Sequence, residues 1–244
     1  TDYFIRYKIG MAELALERYS RALNAFNKAI ELNPSFADVY CDKGVALAGQ
    51  RNYTDALPCY DKAIALDGAY VEAYYNRGVA LAATGELEAA LSSYQKASEL
   101  APAFIWARLN KAVILKELDR KDEAAAVLEA LLVEHPDFAE AYANRAILRT
   151  CKGDWEGAVA DCDRAIRLKP TYAIAHANKG LALTAVERFD EAYACIEDAL
   201  RLYHDLPEAH SYKGAIQYLR GDFEEAKASL FRALDLNPHH VDAR

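Results

Sequence analysis

An all-α solenoid of seven helix–turn–helix units is the fold this sequence predicts, and three observations predict it. One pattern returns every 34 residues without insertion, over 238 of the 244 residues. Inside each unit, two runs of apolar and small residues keep the 3.6-residue period of a helix. Glycine and proline are scarce, 11 and 7 residues, which leaves room only for short connections. A single helix pair cannot bury its apolar stripes alone, so the units must stack on one another.

The unit at 71–104 shows the pattern most clearly. Ala73, Tyr74, Gly78 and Leu81 mark a first helix, and Gly85 breaks it. Leu87, Ala90, Leu91, Tyr94, Ala97 and Leu100 mark a second. Pro102 ends it, because proline lacks the N–H and clashes with the preceding turn. Counted from Tyr3, the units are 3–36, 37–70, 71–104, 105–138, 139–172, 173–206 and 207–240, and 241–244 reads as the start of an eighth. The whole chain, 1–244, is expected to form one solenoid domain.

Certain unit positions barely vary. Position 20 is always alanine: Ala22, Ala56, Ala90, Ala124, Ala158, Ala192 and Ala226. Position 8 is glycine except at Ala112 and Ala146. A mid-helix glycine costs about 1 kcal/mol against alanine, so its recurrence implies a packing need. Position 27 is alanine except at Leu131, position 32 is proline except at Gly68 and His204, and position 17 is aromatic in five units. This combination resembles the tetratricopeptide repeat (TPR) family, whose 34-residue unit carries small residues at 8, 20 and 27 and proline at 32. The resemblance covers nearly the whole chain and implies a right-handed superhelix with a concave groove lined by the first helix of each unit. Unit 4, with Lys121 at position 17 and Leu131 at 27, departs most from the pattern. Arg6 and Glu13 suit a first unit with a polar outer side.

Composition narrows the function classes. A net charge of −8 disfavours nucleic acid as a partner. No run of about 18 apolar residues is present, so no membrane span is expected. The five cysteines are odd in number and form no C-x-x-C pair, which reads as free thiols in a reducing compartment. With no leader and no Met at the first position, the sequence reads as an excerpt of a longer, cytoplasmic protein. Neither a phosphate-binding glycine loop nor an H-E-x-x-H motif occurs. Catalytic residues, cofactors and metals are therefore not assigned. His176 and His210, both at position 4, read as packed imidazoles, and His239-His240 as loop. The basic row at position 7 (Lys43, Arg77, Lys111, Arg145, Lys179, Lys213) reads as long stems laid along an interface with paired heads.

The candidate site is the groove that the resemblance implies. Position 6 carries Asn76, Asn110, Asn144 and Asn178 in four consecutive units. A primary amide both donates and accepts, so such a row can grip the backbone of an extended peptide. It resembles the asparagine ladder of the O-GlcNAc transferase superhelix. Position 9 is apolar throughout and includes Val79, Val113, Ile147 and Leu181; with Tyr75 and Trp106 it offers a face for apolar side chains. No basic residue stands at positions 2 or 5, which excludes the two-carboxylate clamp that some members of the family use on acidic chaperone tails. The sequence thus predicts a protein-interaction scaffold with a protein or peptide ligand in its groove. The alternatives are a substrate-recruiting arm of a larger enzyme such as a glycosyltransferase, or a self-assembling module.

Overall fold

The computed structural model describes residues 2–237 as fourteen α-helices, with no strand among the described residues. They are α1 Asp2–Ala15, α2 Tyr19–Leu32, α3 Ala37–Gly49, α4 Tyr53–Leu66, α5 Val71–Thr84, α6 Leu87–Leu100 and α7 Ile105–Glu117. There follow α8 Lys121–Glu134, α9 Ala139–Cys151, α10 Trp155–Leu168, α11 Ala173–Ala185, α12 Phe189–Leu202, α13 Pro207–Arg220 and α14 Phe223–Leu236. Each 34-residue unit is one helix pair, and every second helix starts at position 17. The start of an eighth unit and His239-His240 lie outside the described residues.

The helices fall into two compact units, 1–124 and 125–244, with the boundary inside α8. In the first, consecutive helices pack from α1 to α7, and the first helices touch in turn, α1 with α3 and α3 with α5. In the second, consecutive helices pack from α9 to α14, with α9 against α11 and α11 against α13.

The turn inside each pair is the same seven times. Position 15 takes a left-handed backbone: Glu17, Arg51, Gly85, Asp119, Gly153, Glu187 and Gly221 have φ between 54° and 88°. The N–H at position 16 then reaches back to the carbonyl at position 11, as in Glu86 to Leu81 at 2.9 Å and Arg188 to Leu183 at 3.0 Å. This is the helix-ending bond that satisfies an orphan carbonyl. The carbonyl at 16 accepts the first bond of the second helix from the alanine at 20, as in Arg18 to Ala22 at 3.0 Å.

Small residues let the two helices touch. All seven position-20 alanines are buried, as is every residue at position 27. A Cβ placed on Gly10 would stand 2.4 Å from the ring of Phe26. On Gly44 it would stand 2.5 Å from Tyr60, and on Gly78 2.8 Å from Tyr94. All three rings occupy position 24 of the same unit. Glycine at position 8 is the space a position-24 ring needs.

Polar contacts join one unit to the next. The side chain at position 4 bonds the backbone carbonyl at position 32 of the preceding unit. The Tyr40 hydroxyl donates to Pro34 at 3.1 Å, and His210 Nε2 lies 2.8 Å from the oxygen of His204. The two histidines read from sequence as packed imidazoles thus hold the slot tyrosine fills elsewhere. The position-7 bases also pair: Arg77 with Asp61 at 2.7 Å, Lys179 with Asp163 at 2.8 Å and Lys213 with Glu197 at 2.7 Å, each acid at position 25 of the preceding unit. Arg145 instead bonds both oxygens of Asp161 in its own unit.

The first unit differs in part from its sequence reading. Arg6 is exposed, but so are Ile5, Ile9 and Leu16 of α1 and its following turn, while Glu13 is half-buried and pairs at 3.7 Å with Arg18.

Left-handed backbone costs an L-residue about 1–2 kcal/mol. Arg51→Gly and Glu187→Gly are therefore expected to stabilise the protein by about 0.5–1 kcal/mol, and Gly85→Ala to destabilise it by about 1 kcal/mol. Urea denaturation measures all three, and unchanged midpoints would show that these turns relax out of the left-handed region.

Candidate functional site: the first-helix face

Position 6 does not stand alone. Across neighbouring first helices it pairs with position 5 of the preceding unit. The Tyr7 hydroxyl donates to Asp42 at 2.8 Å, Asn76 Nδ2 reaches Cys41 Sγ at 3.8 Å, and Asn110 Nδ2 donates to the Tyr75 hydroxyl at 3.2 Å. This ladder ties α1 to α3, α3 to α5 and α5 to α7. Each bond spans 35 residues, one repeat plus one. Position 5 then becomes Leu109 and Ala143, which offer no polar partner. Asn144 turns to its own helix and donates to the Glu140 carbonyl at 2.9 Å. Asn178, only 6% exposed, has its Nδ2 enclosed without a partner.

The asparagines therefore sit in the predicted row but are not equivalent. In Asn76, Asn110 and Asn144 the Nδ2 donor is engaged, and the side chains are half-buried. Each keeps its Oδ1 acceptor and the second N–H of its Nδ2. Asn178 is enclosed. Sequence reasoning missed the partners Tyr7, Asp42 and Cys41. The signal was present: a polar pair recurring 35 residues apart at positions 5 and 6.

The apolar residues divide in the same way. Val79 is 37% exposed and Trp106 is 42% exposed. Tyr75 is half-buried, its ring 4.8 Å from that of Phe104 and 5.7 Å from that of Tyr94. Val113, Ile147 and Leu181 are half-buried. The stripe expected as a continuous open face is thus open at Val79, Trp106 and Ala215, and half-buried at Met11, Val45, Val113, Ile147 and Leu181. Tyr75, Asn76, Val79, Trp106, Asn110 and Val113 lie in the first compact unit, and Asn144, Ile147, Asn178 and Leu181 in the second.

Electrostatics around the ladder favour neutral groups. Burial pushes the Asp42 carboxyl above its ordinary range, against the hydroxyl of Tyr7, which pulls it down. Burial pushes the Cys41 thiol up to about 12, with Asp42 adding to it, and Cys162 likewise to about 12. Cys59 and Cys195 are raised by the same cause. Such thiols stay protonated, which is the opposite of what a nucleophile requires. Among the described residues, no group of three or more His, Cys, Asp and Glu is placed to hold a metal ion, and no helix is long and apolar enough to cross a membrane.

A raised carboxyl pKa means that the ionised form weakens the fold, fully above the folded pKa and not at all below the ordinary value of 3.8. Asp42→Asn, which keeps an acceptor for Tyr7, is therefore expected to raise the melting temperature at pH 7, with the gain vanishing at pH 3. A loss of stability at pH 7 would show instead that the carboxylate strengthens the ladder.

Three family models match the sequence. One described as tetratricopeptide repeat matches residues 41–103 and 178–244, another of that description matches 81–148, and a TPR repeat model matches 10–51. No curated protein matches the chain. Among solved structures, a tetratricopeptide repeat protein from Parabacteroides merdae is similar over 99% of this chain and 96% of its own, with a TM-score of 0.85 and 16% identity. A thermophilic TPR protein from Thermus thermophilus is similar over 71% of this chain and 95% of its own, with a TM-score of 0.63 and 26% identity. Yeast Tom70 is similar over 99% of this chain and 52% of its own, with a TM-score of 0.68 and 22% identity. The likeness to the Parabacteroides protein and to Tom70 is one of fold.

Proposed function

Because the chain belongs to the tetratricopeptide repeat family, we propose that it is a protein-interaction scaffold that holds an extended peptide or partner segment against the first helices of its units. One observation carries this reading, the ladder between positions 5 and 6. It fixes Asn76 and Asn110 through their Nδ2 donors and leaves each Oδ1 as an acceptor in a set orientation. An extended peptide supplies backbone N–H groups, the complement of such a row. Asn144, whose Nδ2 is held by Glu140, offers the same group in the second compact unit.

Exposed Val79 and Trp106 supply the apolar contact, with Tyr75 braced behind them by Phe104. A large aromatic with accessible area is the kind of residue that dominates binding energy. The ligand is not an acidic tail held by two carboxylate clamps, since position 2 of the inner units is Asp38, Glu72, Trp106, Glu140 and Ile174.

A random peptide library panned on the protein tests this reading. Selected peptides are expected to bind Asn110→Ala about fivefold more weakly, the worth of roughly one hydrogen bond. Trp106→Ala is expected to cost more, and N-methylation of the recognised backbone amide to abolish binding. Peptides that bind Asn110→Ala/Trp106→Ala as tightly as the parent would place recognition on another surface.

A further inference from the structure

In one unit the chain itself supplies the occupant of a small binding arrangement near the loop that ends the unit. Lys169, at position 31 of the fifth unit, donates from Nζ to Glu140 Oε1, at position 2 of the same unit, at 2.8 Å. The same ammonium lies 4.9 Å from the centre of the Tyr172 ring at position 34. A carboxylate and an aromatic face thus hold an alkylammonium between them, and both attract positive charge.

The third unit keeps the acid and the ring but lacks the lysine. Glu72 stands at position 2 and Phe104 at position 34, while position 31 is Ala101. Here lies a hollow of about 520 Å³, lined by Glu72, Ala101 and Phe104 together with Asp67 and Tyr70 of the preceding loop. None of the described residues that line it is basic. Asp67, at position 31 of the second unit, brings a second carboxylate. Its Oδ1 accepts the Ala69 N–H at 2.9 Å, which fixes its orientation. Glu72 and Asp67 are exposed and the two rings are half-buried, so a side chain can enter from solvent. The Phe104 ring also braces Tyr75, their centres 4.8 Å apart, which ties the hollow to the ladder at Asn110.

We propose that this hollow takes a lysine side chain of the bound partner segment. The ammonium pairs with Glu72 and Asp67, and the stem lies along Phe104 and Tyr70, as Lys169 lies against Glu140 and Tyr172 in the fifth unit. A lysine is the occupant because the lining offers carboxylates, which only accept, ring faces, which favour a cation, and apolar walls, which suit methylenes. The net charge of −8 adds attraction for a basic segment. The lysine belongs to the segment held on the first-helix face, so this rests on the groove reading and names one class of residue that its ligand carries.

A peptide library with lysine fixed at its central position, panned on the protein, tests it. Selected peptides are remade with norleucine, which keeps the stem and loses the ammonium. They are expected to bind about fivefold more weakly, the worth of one partly exposed ion pair. Glu72→Gln/Asp67→Asn removes both charges, and Ala101→Lys builds the fifth unit's lysine into the third. Each is expected to remove the difference between lysine and norleucine while leaving the circular dichroism unchanged. Peptides that lose affinity on Asn110→Ala/Trp106→Ala yet bind alike with lysine and norleucine would overturn the lysine hollow and leave the groove reading standing. A lysine preference that survives both hollow variants would do the same. A preference that needs Glu72 and Asp67 but ignores Asn110→Ala/Trp106→Ala would keep the hollow as a lysine site and overturn the groove reading. A library without binders would overturn both.

Discussion

The close approach of the two helices in each unit is the constraint on which the rest depends. In five of the units it is set by pairing a glycine at position 8 against a large residue at position 24 of the same unit. Gly10, Gly44 and Gly78 face Phe26, Tyr60 and Tyr94, and Gly180 and Gly214 face Ile196 and Leu230. Helix propensity argues against each of these glycines. Buried alanines at 20 and 27 keep the backbones near each other along the rest of the pair. With the pair fixed, the faces it turns to its neighbours are fixed as well.

Those faces use a small set of contacts, each joining one unit to the adjacent one. Position 4 bonds the carbonyl at 32 of the preceding unit, position 7 pairs with 25, and position 6 meets 5. The last of these bears on function. An amide that spends one N–H on a neighbouring helix is held in orientation, with its Oδ1 and its second N–H left to pair. The ladder thus holds Asn76 and Asn110 in set orientations in the same compact unit as the exposed Trp106 and Val79. It also explains how the half-buried Asp42 is held there: Tyr7 supplies a bond that water would otherwise give.

Much of this was legible in the sequence. The invariant alanines, the recurring glycine and the proline at 32 marked every helix pair, because steric demands act on the same position in every copy. The left-handed turn was legible only in part. Gly85, Gly153 and Gly221 reveal position 15, while Glu17, Arg51, Asp119 and Glu187 hide it, since the helix-ending backbone bond from position 16 to position 11 forms around them as well. The ladder was hidden because its chemistry changes from Tyr–Asp to Cys–Asn to Tyr–Asn, so no single residue type repeats. The apolar stripe at position 9 looked more open in sequence than it is, because periodicity cannot show that Met11, Val45 and Val113 are half-buried.

The central claim is that glycine at position 8 is there for the residue at position 24. Stability measured for Gly44→Ala, alone and with Tyr60→Leu, tests it most directly. With Tyr60 in place, the added Cβ meets the ring, and overpacking of this kind costs about 1–3 kcal/mol, enough to outweigh a helix-propensity gain of about 1 kcal/mol. Gly44→Ala is therefore expected to destabilise the parent. With Tyr60→Leu, the combination that unit 4 carries as Ala112 and Leu128, that penalty is expected to fall to zero or change sign. If Gly44→Ala stabilises the protein in both backgrounds, the ring does not set the helix spacing and the account fails at its base.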